Sequence, residues 1–229
     1  MTRMRHSPPA ALASPSRRRV LYRLLAAAAV VPAFATVAAH AQGRGTLDPT
    51  PSQTEGPFYP KTFPADVDAD LTQVAGRSAR AKGTPLYFEG RVLGTDGRPL
   101  PGAVVELWQC DALGRYHHAG DDGGPRDDNF QGYGRTTTAA DGRYAFRTIR
   151  PVPYGGRPAH LHVRVRQASA ATLTTQVYIA GDRTDGDFVL GASPRGTRER
   201  LAMALAPADG GRETGALTGT FDFVLRAAR

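Results

Sequence analysis

A single cysteine, Cys110, stands in 229 residues. No intramolecular disulfide can staple such a chain, and no multi-cysteine zinc site can form in it. No apolar run reaches the roughly 20 residues that cross a bilayer; the run from Leu24 to Ala39 has 16 residues and is interrupted by Pro32. Long unbroken helices are disfavoured as well. The chain carries 26 Gly and 18 Pro, which cost a helix interior about 1 and 3 kcal/mol each relative to Ala. Apolar residues make up 41% of the chain, too many for a solvated coil. Acids are in the minority, 21 against 29 Lys plus Arg, for a formal charge of +8. That balance by itself invites a nucleic acid or an anionic membrane as partner.

The N-terminus accounts for most of the excess. Residues 1–41 hold six Arg and no acid, whereas residues 42–229 hold 23 bases and 21 acids. Nucleic acid therefore drops out as an expected partner. Arg17, Arg18 and Arg19 precede the Ala-rich run, which ends in Ala39-His40-Ala41. A basic segment, a short apolar segment and an A-x-A site in that order read as a secretory signal peptide. Ser16-Arg17-Arg18-Arg19-Val20-Leu21 resembles the twin-arginine export signal, a route taken by folded proteins, often with a cofactor already in place. The expectation is an exported protein, periplasmic or secreted, with residues 1–41 removed and no stable membrane insertion afterwards.

Residues 42–84 read as an extended N-terminal arm and 85–229 as one β-sandwich domain. Strand signals follow one another from Leu86 to Leu93, Pro101 to Cys110, Arg143 to Ile149, His160 to Arg166, Leu173 to Ile179 and Thr220 to Leu225. Gly, Asp and Pro turns separate them, as at Gly94-Thr95-Asp96-Gly97 and Asp141-Gly142. Short alternating strands of this kind predict an all-β fold, an antiparallel sandwich with long active-site loops and little helix. In the second run Ala103, Val105 and Leu107 share one face, and Val104, Glu106 and Trp108 the other. One short helix-like stretch lies at Thr197 to Leu205, and the Gly/Asp-rich stretch from Ala119 to Asn129 is a surface loop.

Past the leader only four His remain, as His117-His118 and His160-x-His162. Residues two apart in a strand share a face about 7 Å apart along the chain, so the second pair can converge on one metal ion. Leu161, Val163 and Val165 on the opposite face suit a core. The alternative is a solvent-facing pair on an edge strand beside Arg164 and Arg166. His117 and His118 read as loop residues, Tyr59 and Trp108 as packing residues, and Cys110 as a buried small apolar residue.

The surroundings of these His are more specific. Tyr154-Gly-Gly-Arg157-Pro-Ala-His160-Leu-His162 and Leu107-Trp108-Gln109-Cys110-Asp111 leading to Tyr116 stand in order with Thr54-Glu55-Gly56-Pro57-Phe58-Tyr59-Pro60, Asp141-Gly142-Arg143-Tyr144, Thr175-Gln176-Val177-Tyr178 and Phe221-Asp222-Phe223-Val224-Leu225. Together these motifs resemble the intradiol ring-cleavage dioxygenases over most of the chain past the leader, and most of all the iron-bearing beta subunits of the protocatechuate-cleaving branch. The resemblance implies a mononuclear non-haem Fe(III) held by Tyr116, Tyr154, His160 and His162. It also implies a reaction that inserts both atoms of O2 into a catechol to give a muconate-type diacid. Tyr154 would leave the metal and take a substrate proton. Arg157 would stabilise negative charge on the ring, and Gln176 would orient Arg157 or the substrate. The partners implied are a catecholic small molecule, O2 and, for the chain itself, a homo-oligomer.

The donor set has a chemical logic. Ferric iron favours anionic oxygen donors and drives a phenol of pKa about 10 to ionise. Two phenolates bring the charge of the site from +3 to +1, whereas two His and a carboxylate would favour Fe(II). One departure from the family stands out: only Gly155-Gly156 separates Tyr154 from Arg157, where a longer insert is usual. Two other readings are open. Asp96 to Leu107 and Asp141 to Phe146 also suit a non-enzymatic, transthyretin-like binding module, and an iron-binding homologue without turnover would keep the same residues.

Overall fold

The computed structural model describes residues 46–228. The expected signal peptide and the first residues of the expected arm lie outside the described residues. Ten strands and two single-turn helices follow in the order β1 (Pro85–Gly94), β2 (Val104–Trp108), β3 (Tyr133–Thr137), β4 (Arg143–Ile149), β5 (His160–Gln167), β6 (Ala170–Ile179), α1 (Phe188–Gly191), α2 (Thr197–Arg200), β7 (Ala202–Met203), β8 (Leu205–Pro207), β9 (Leu217–Thr220) and β10 (Phe223–Leu225).

They form two five-stranded sheets. In the first, β1 pairs antiparallel with β4 from Pro85↔Ile149 to Arg91↔Arg143. On its other side β9 and β10 run parallel to it in one register, Leu86↔Leu217 and Val92↔Phe223. The two are one path broken at Phe221-Asp222. Gly90 is needed beside that break, because a Cβ there would overlap the Phe221 carbonyl. The second sheet has the order β3-β2-β5-β6-β7, and all of its pairs are antiparallel except β6 with β7.

The inner faces alternate as period two requires. Leu86, Phe88 and Val92 of β1, Val105 and Leu107 of β2, Phe146 of β4, Leu161, Val163 and Val165 of β5 and Val177 of β6 meet in one buried core. Each fully buried Leu, Val or Phe contributes about 1.5–3 kcal/mol. The sandwich and the facing of β2 and β5 are as the sequence pattern predicts.

Four details differ. β3 went unread because Tyr-Gly-Arg-Thr-Thr is short and has no apolar alternation, although it pairs with β2 throughout, from Val104↔Thr137 to Trp108↔Tyr133. The helix expected at Thr197 to Leu205 is one turn, followed by β7 and β8, where pairing to β6 and β9 outweighs helix propensity. The last expected strand, Thr220 to Leu225, is two, broken by the Phe221-Asp222 step. Three of the strand pairs run parallel.

The stretch before β1 packs on both sheets. Leu71 is fully buried in the core, and its N–H bonds the Arg147 carbonyl at 2.8 Å. Residues near 53–59 cross the outer face of the second sheet, where Glu55 pairs with Arg164 and the Arg164 guanidinium lies 4.1 Å from the Tyr59 ring centroid. Among the described residues no helix is long and apolar enough to cross a membrane.

Candidate active site

The strand alternation that sends Leu161 and Val163 inward sends His160 and His162 to the opposite face of β5. Register brings His162 beside Trp108 of β2 and Gln176 of β6, and His160 beside Tyr178. This face is not solvent-exposed. β5 lies in the middle of its sheet, and each His is 1% exposed, so the edge-strand alternative fails. The arm supplies the cover. Gln176 donates to the Thr54 carbonyl at 2.9 Å, and the Tyr178 hydroxyl donates to Gln53 at 3.1 Å. Gly56, at φ +74°, passes so close that a Cβ would stand 3.1 Å from His162 Cε1.

Loops bring the two tyrosines. Past β2, Asp111 accepts from the N–H groups of Leu113 at 2.8 Å, Arg115 at 3.0 Å and Asp127 at 2.7 Å. Burial opposes ionisation of this carboxyl, but bonds from His117 and those backbone groups outweigh it and hold its pKa below the ordinary value. The turn thus fixed directs Tyr116 inward, with its N–H on Asp121 at 2.8 Å and Phe58 stacked 4.6 Å from its ring. Tyr154 and Arg157 are tied by reciprocal backbone bonds of 3.2 and 2.7 Å. Between them Gly155 and Gly156 sit at φ +52° and +79°, the left-handed pair that a two-residue reversal needs.

Four aromatic rings close a circuit. Centroid distances are 5.0 Å for Tyr116–Tyr154, 5.4 Å for Tyr154–His160, 4.7 Å for His160–His162 and 6.1 Å for His162–Tyr116. His160 Nδ1 donates to the Pro158 carbonyl at 2.6 Å, which leaves its Nε2 as a lone pair. That Nε2 lies 3.1 Å from Nε2 of His162, about the separation of two donors roughly 2.1 Å from one ion and at right angles. The Tyr116 hydroxyl and His162 Nδ1 are buried without hydrogen-bond partners, an arrangement that is costly in a finished core. Burial, then the Arg157 charge, pushes His160 down to about 4. Burial likewise depresses His162, so both imidazoles are neutral, as ligands must be. Burial raises both phenols; at Tyr154 the neighbouring Tyr116 hydroxyl, and then Arg157, oppose the rise. They ionise only against a strong local cation. Among the described residues no three His, Cys, Asp or Glu side chains gather as a metal-binding group. The converging set is two His and two Tyr, a donor set that fits a hard ferric ion.

Arg157 stands beside this circuit, 8% exposed. It donates from Nε to Asp187 at 3.0 Å and from Nη2 to Gln176 at 2.9 Å, Tyr178 at 3.2 Å and Asp187 at 3.3 Å. Its Nη1 is 3.2 Å from His160 Nε2. All six residues singled out from the sequence (Tyr116, Tyr154, Arg157, His160, His162 and Gln176) therefore meet at one place. His117 and His118 do not join them: His117 lies 3.7 Å from Asp111, and His118 accepts from Gly120 N at 2.9 Å. Trp108 packs as read, stacked 5.1 Å from the His162 ring, and Cys110 is buried and free. Tyr59 is more than packing, since it and Tyr133 donate to the buried Glu106 at 2.9 and 2.6 Å. Sequence reasoning missed Asp187, Tyr178 and Phe58 as parts of the site. Tyr178 could have been found, being two residues from Gln176 on the same face of β6; Asp187 carried no such signal.

Known proteins share this arrangement of sequence and fold. A family profile described as Dioxygenase matches residues 54–157. The protocatechuate 3,4-dioxygenase beta chain of Burkholderia cepacia is 37% identical over 180 residues, covering 74% of this chain and 76% of that one. Catechol 1,2-dioxygenase 1 of Acinetobacter lwoffii is 35% identical, over 75% of this chain but 58% of its own length. Among solved structures, the dioxygenase domain of a dioxygenase and carbohydrate-binding protein fusion from Streptomyces sp. SirexAA-E superimposes with a TM-score of 0.59 at 32% identity, over 79% of this chain and all of that one. A shared sandwich alone would leave the activity open, but identity at this level over three quarters of a relative does not: the chain belongs to the intradiol ring-cleavage dioxygenases, and it is an enzyme of that family.

Proposed function

We propose that this enzyme uses a mononuclear non-haem Fe(III) to open a catechol-type ring between its two hydroxyl-bearing carbons, adding both atoms of O2 to give a muconate-type diacid. The observation that carries the reading is the closed circuit of Tyr116, Tyr154, His160 and His162, with two imidazole nitrogens 3.1 Å apart and an unpartnered buried phenol. Those four side chains would hold the iron. Bound there, ferric iron supplies a Lewis acid that draws the diol oxygens and readies the ring for O2.

The protein residues divide the remaining work. Tyr116 is 2% exposed and stays in place. Tyr154 is half-buried and lines a cleft of about 450 Å³, so it is the phenol that can move aside and accept a diol proton on its Oη. Arg157 holds a fixed positive charge next to the ring, where negative charge grows during the reaction. Gln176 and Tyr178 orient that guanidinium through Nη2. Phe58 and Trp108, stacked on Tyr116 and His162, keep water from the inner side.

The test is to purify the protein, measure iron and record the visible spectrum. Tyrosinate-to-ferric charge transfer should tint it red-brown, and Tyr154→Phe or His160→Ala should shift or bleach the band. A colourless protein that cannot be loaded with iron overturns the reading. Iron without oxygen uptake on any diol supports the inactive homologue. The binding-module reading leaves the four-ring circuit and the unpartnered Tyr116 hydroxyl unexplained. We further propose export by the twin-arginine route, supported by Ser16 to Leu21 and the cleavage pattern at Ala39-His40-Ala41.

A further inference from the structure

Resting on that reading, we propose that the diol ring taken by this site is carried on a larger, uncharged aromatic framework, whose second ring leaves over the Gly155-Gly156 turn against Phe188, and that a ring carboxylate is disfavoured. Space is the first argument. Two clefts of about 450 and 400 Å³ meet on Tyr154, Gly155 and Arg157. Either alone falls in the range that takes a drug-sized ligand, roughly 300–1,000 Å³, and a single diol ring fills a small part of one. The wall between them is low. A Cβ built on Gly155 or Gly156 would have no atom of the described residues within 4 Å, so none of these residues closes over the turn.

The chemistry of the walls is the second argument. Phe188 is 71% exposed; it lines the larger cleft together with Tyr154 and Gly155, and its ring lies 5.3 Å from Arg157 Cζ. Leaving such a ring in water forgoes the burial and stacking that a second aromatic ring would recover. The cations of the clefts are already matched: Arg157 with Asp187 at 3.0 Å, Arg115 with Asp121 at 3.3 Å and Arg183 with Asp185 at 3.9 Å. No Lys or His lines either cleft. A ring carboxylate would have to compete with Asp187, Asp121 and Asp185 for these three arginines.

The experiment titrates the iron-loaded protein with catechol, 3,4-dihydroxybenzoate and 4-phenylcatechol by calorimetry without oxygen, and then follows oxygen uptake on the same three. 4-Phenylcatechol should bind about tenfold more tightly than catechol, the order that one stacked ring supplies, and 3,4-dihydroxybenzoate more weakly than catechol. Phe188→Ala should bring the phenylcatechol-to-catechol ratio close to one, and Phe188→Tyr should keep it. Tighter binding of the carboxylate, no gain from the phenyl group, or a ratio unmoved by Phe188→Ala each overturns the inference. Failure of all three diols to bind or consume oxygen strikes the functional reading itself. Turnover of catechol without preference strikes this inference alone.

Discussion

Asp187 ties the stability of the loop after β6 to the charge beside the active site, and its removal can be worked out group by group. The carboxylate is fully buried and its partner Arg157 is 8% exposed, so solvent does little to screen the pair. It accepts from Arg157 at 3.0 and 3.3 Å and caps α1 through Leu190 N at 2.8 Å. Asp187→Ala loses a cap of about 1 kcal/mol and strands a buried cation, typically a loss of about 3–5 kcal/mol. Gln176 and Tyr178 remain on Nη2 and soften the second loss, so about 3–4 kcal/mol in all is expected. Asp187→Asn keeps the cap and one acceptor and should lose about half as much.

Urea unfolding of the metal-free protein reads this directly, because metal linkage is then absent. The midpoint should fall while the slope is unchanged. Arg157→Met combined with Asp187→Leu, which replaces the pair by apolar groups, should cost far less than the two single changes summed. A loss below about 1 kcal/mol for Asp187→Ala, or simple additivity in the double variant, would refute the argument that this buried pair is an energetic unit.

Three further outcomes follow from the structure. Burial pushes the Cys110 thiol up to about 12 and, together with the bond to Glu106, the Tyr59 phenol up to about 12. Both groups ionise at lower pH in the unfolded chain, so their contribution is complete below about pH 9 and is lost as pH rises through 12. The alkaline unfolding limb should be steep, and at pH 8 a thiol reagent should label Cys110 only at the rate of unfolding. Gly56→Ala places a methyl 3.1 Å from His162 on a backbone at φ +74°. It should destabilise by about 1–2 kcal/mol and reduce iron content, which metal analysis would show; unchanged iron would remove the arm from the site. Arg17→Lys with Arg18→Lys should leave the unprocessed chain in the cytoplasm on fractionation, and normal export of that variant would count against the twin-arginine route.

What could be read without coordinates was whatever obeys a local period. His160 and His162 are two apart in a strand whose odd positions are Leu161, Val163 and Val165, so the facing of the pair and the existence of a core behind it follow from the pleat alone. The tyrosines obey no period. Tyr116 is aimed by an Asp111 turn and Tyr154 by a two-glycine reversal, and only the order of several motifs tied them to the His pair. Asp187 is less legible still. Its partner lies 30 positions away, and an acid next to Phe in a loop looks like any helix cap until the fold brings Arg157 to it. The same holds for β3, whose five residues become a strand because β2 offers a full ladder of partners. Local pattern thus located the strand that carries the His pair, while the groups that set charge and access around it come from loops, where sequence spacing carries no geometry. The two-glycine turn joins both sides of this division. Read as a sequence, it is a missing insert; in the fold, it is the low wall at which two clefts meet, so under the proposed function the loop, rather than the sheet, sets the room left for a substrate.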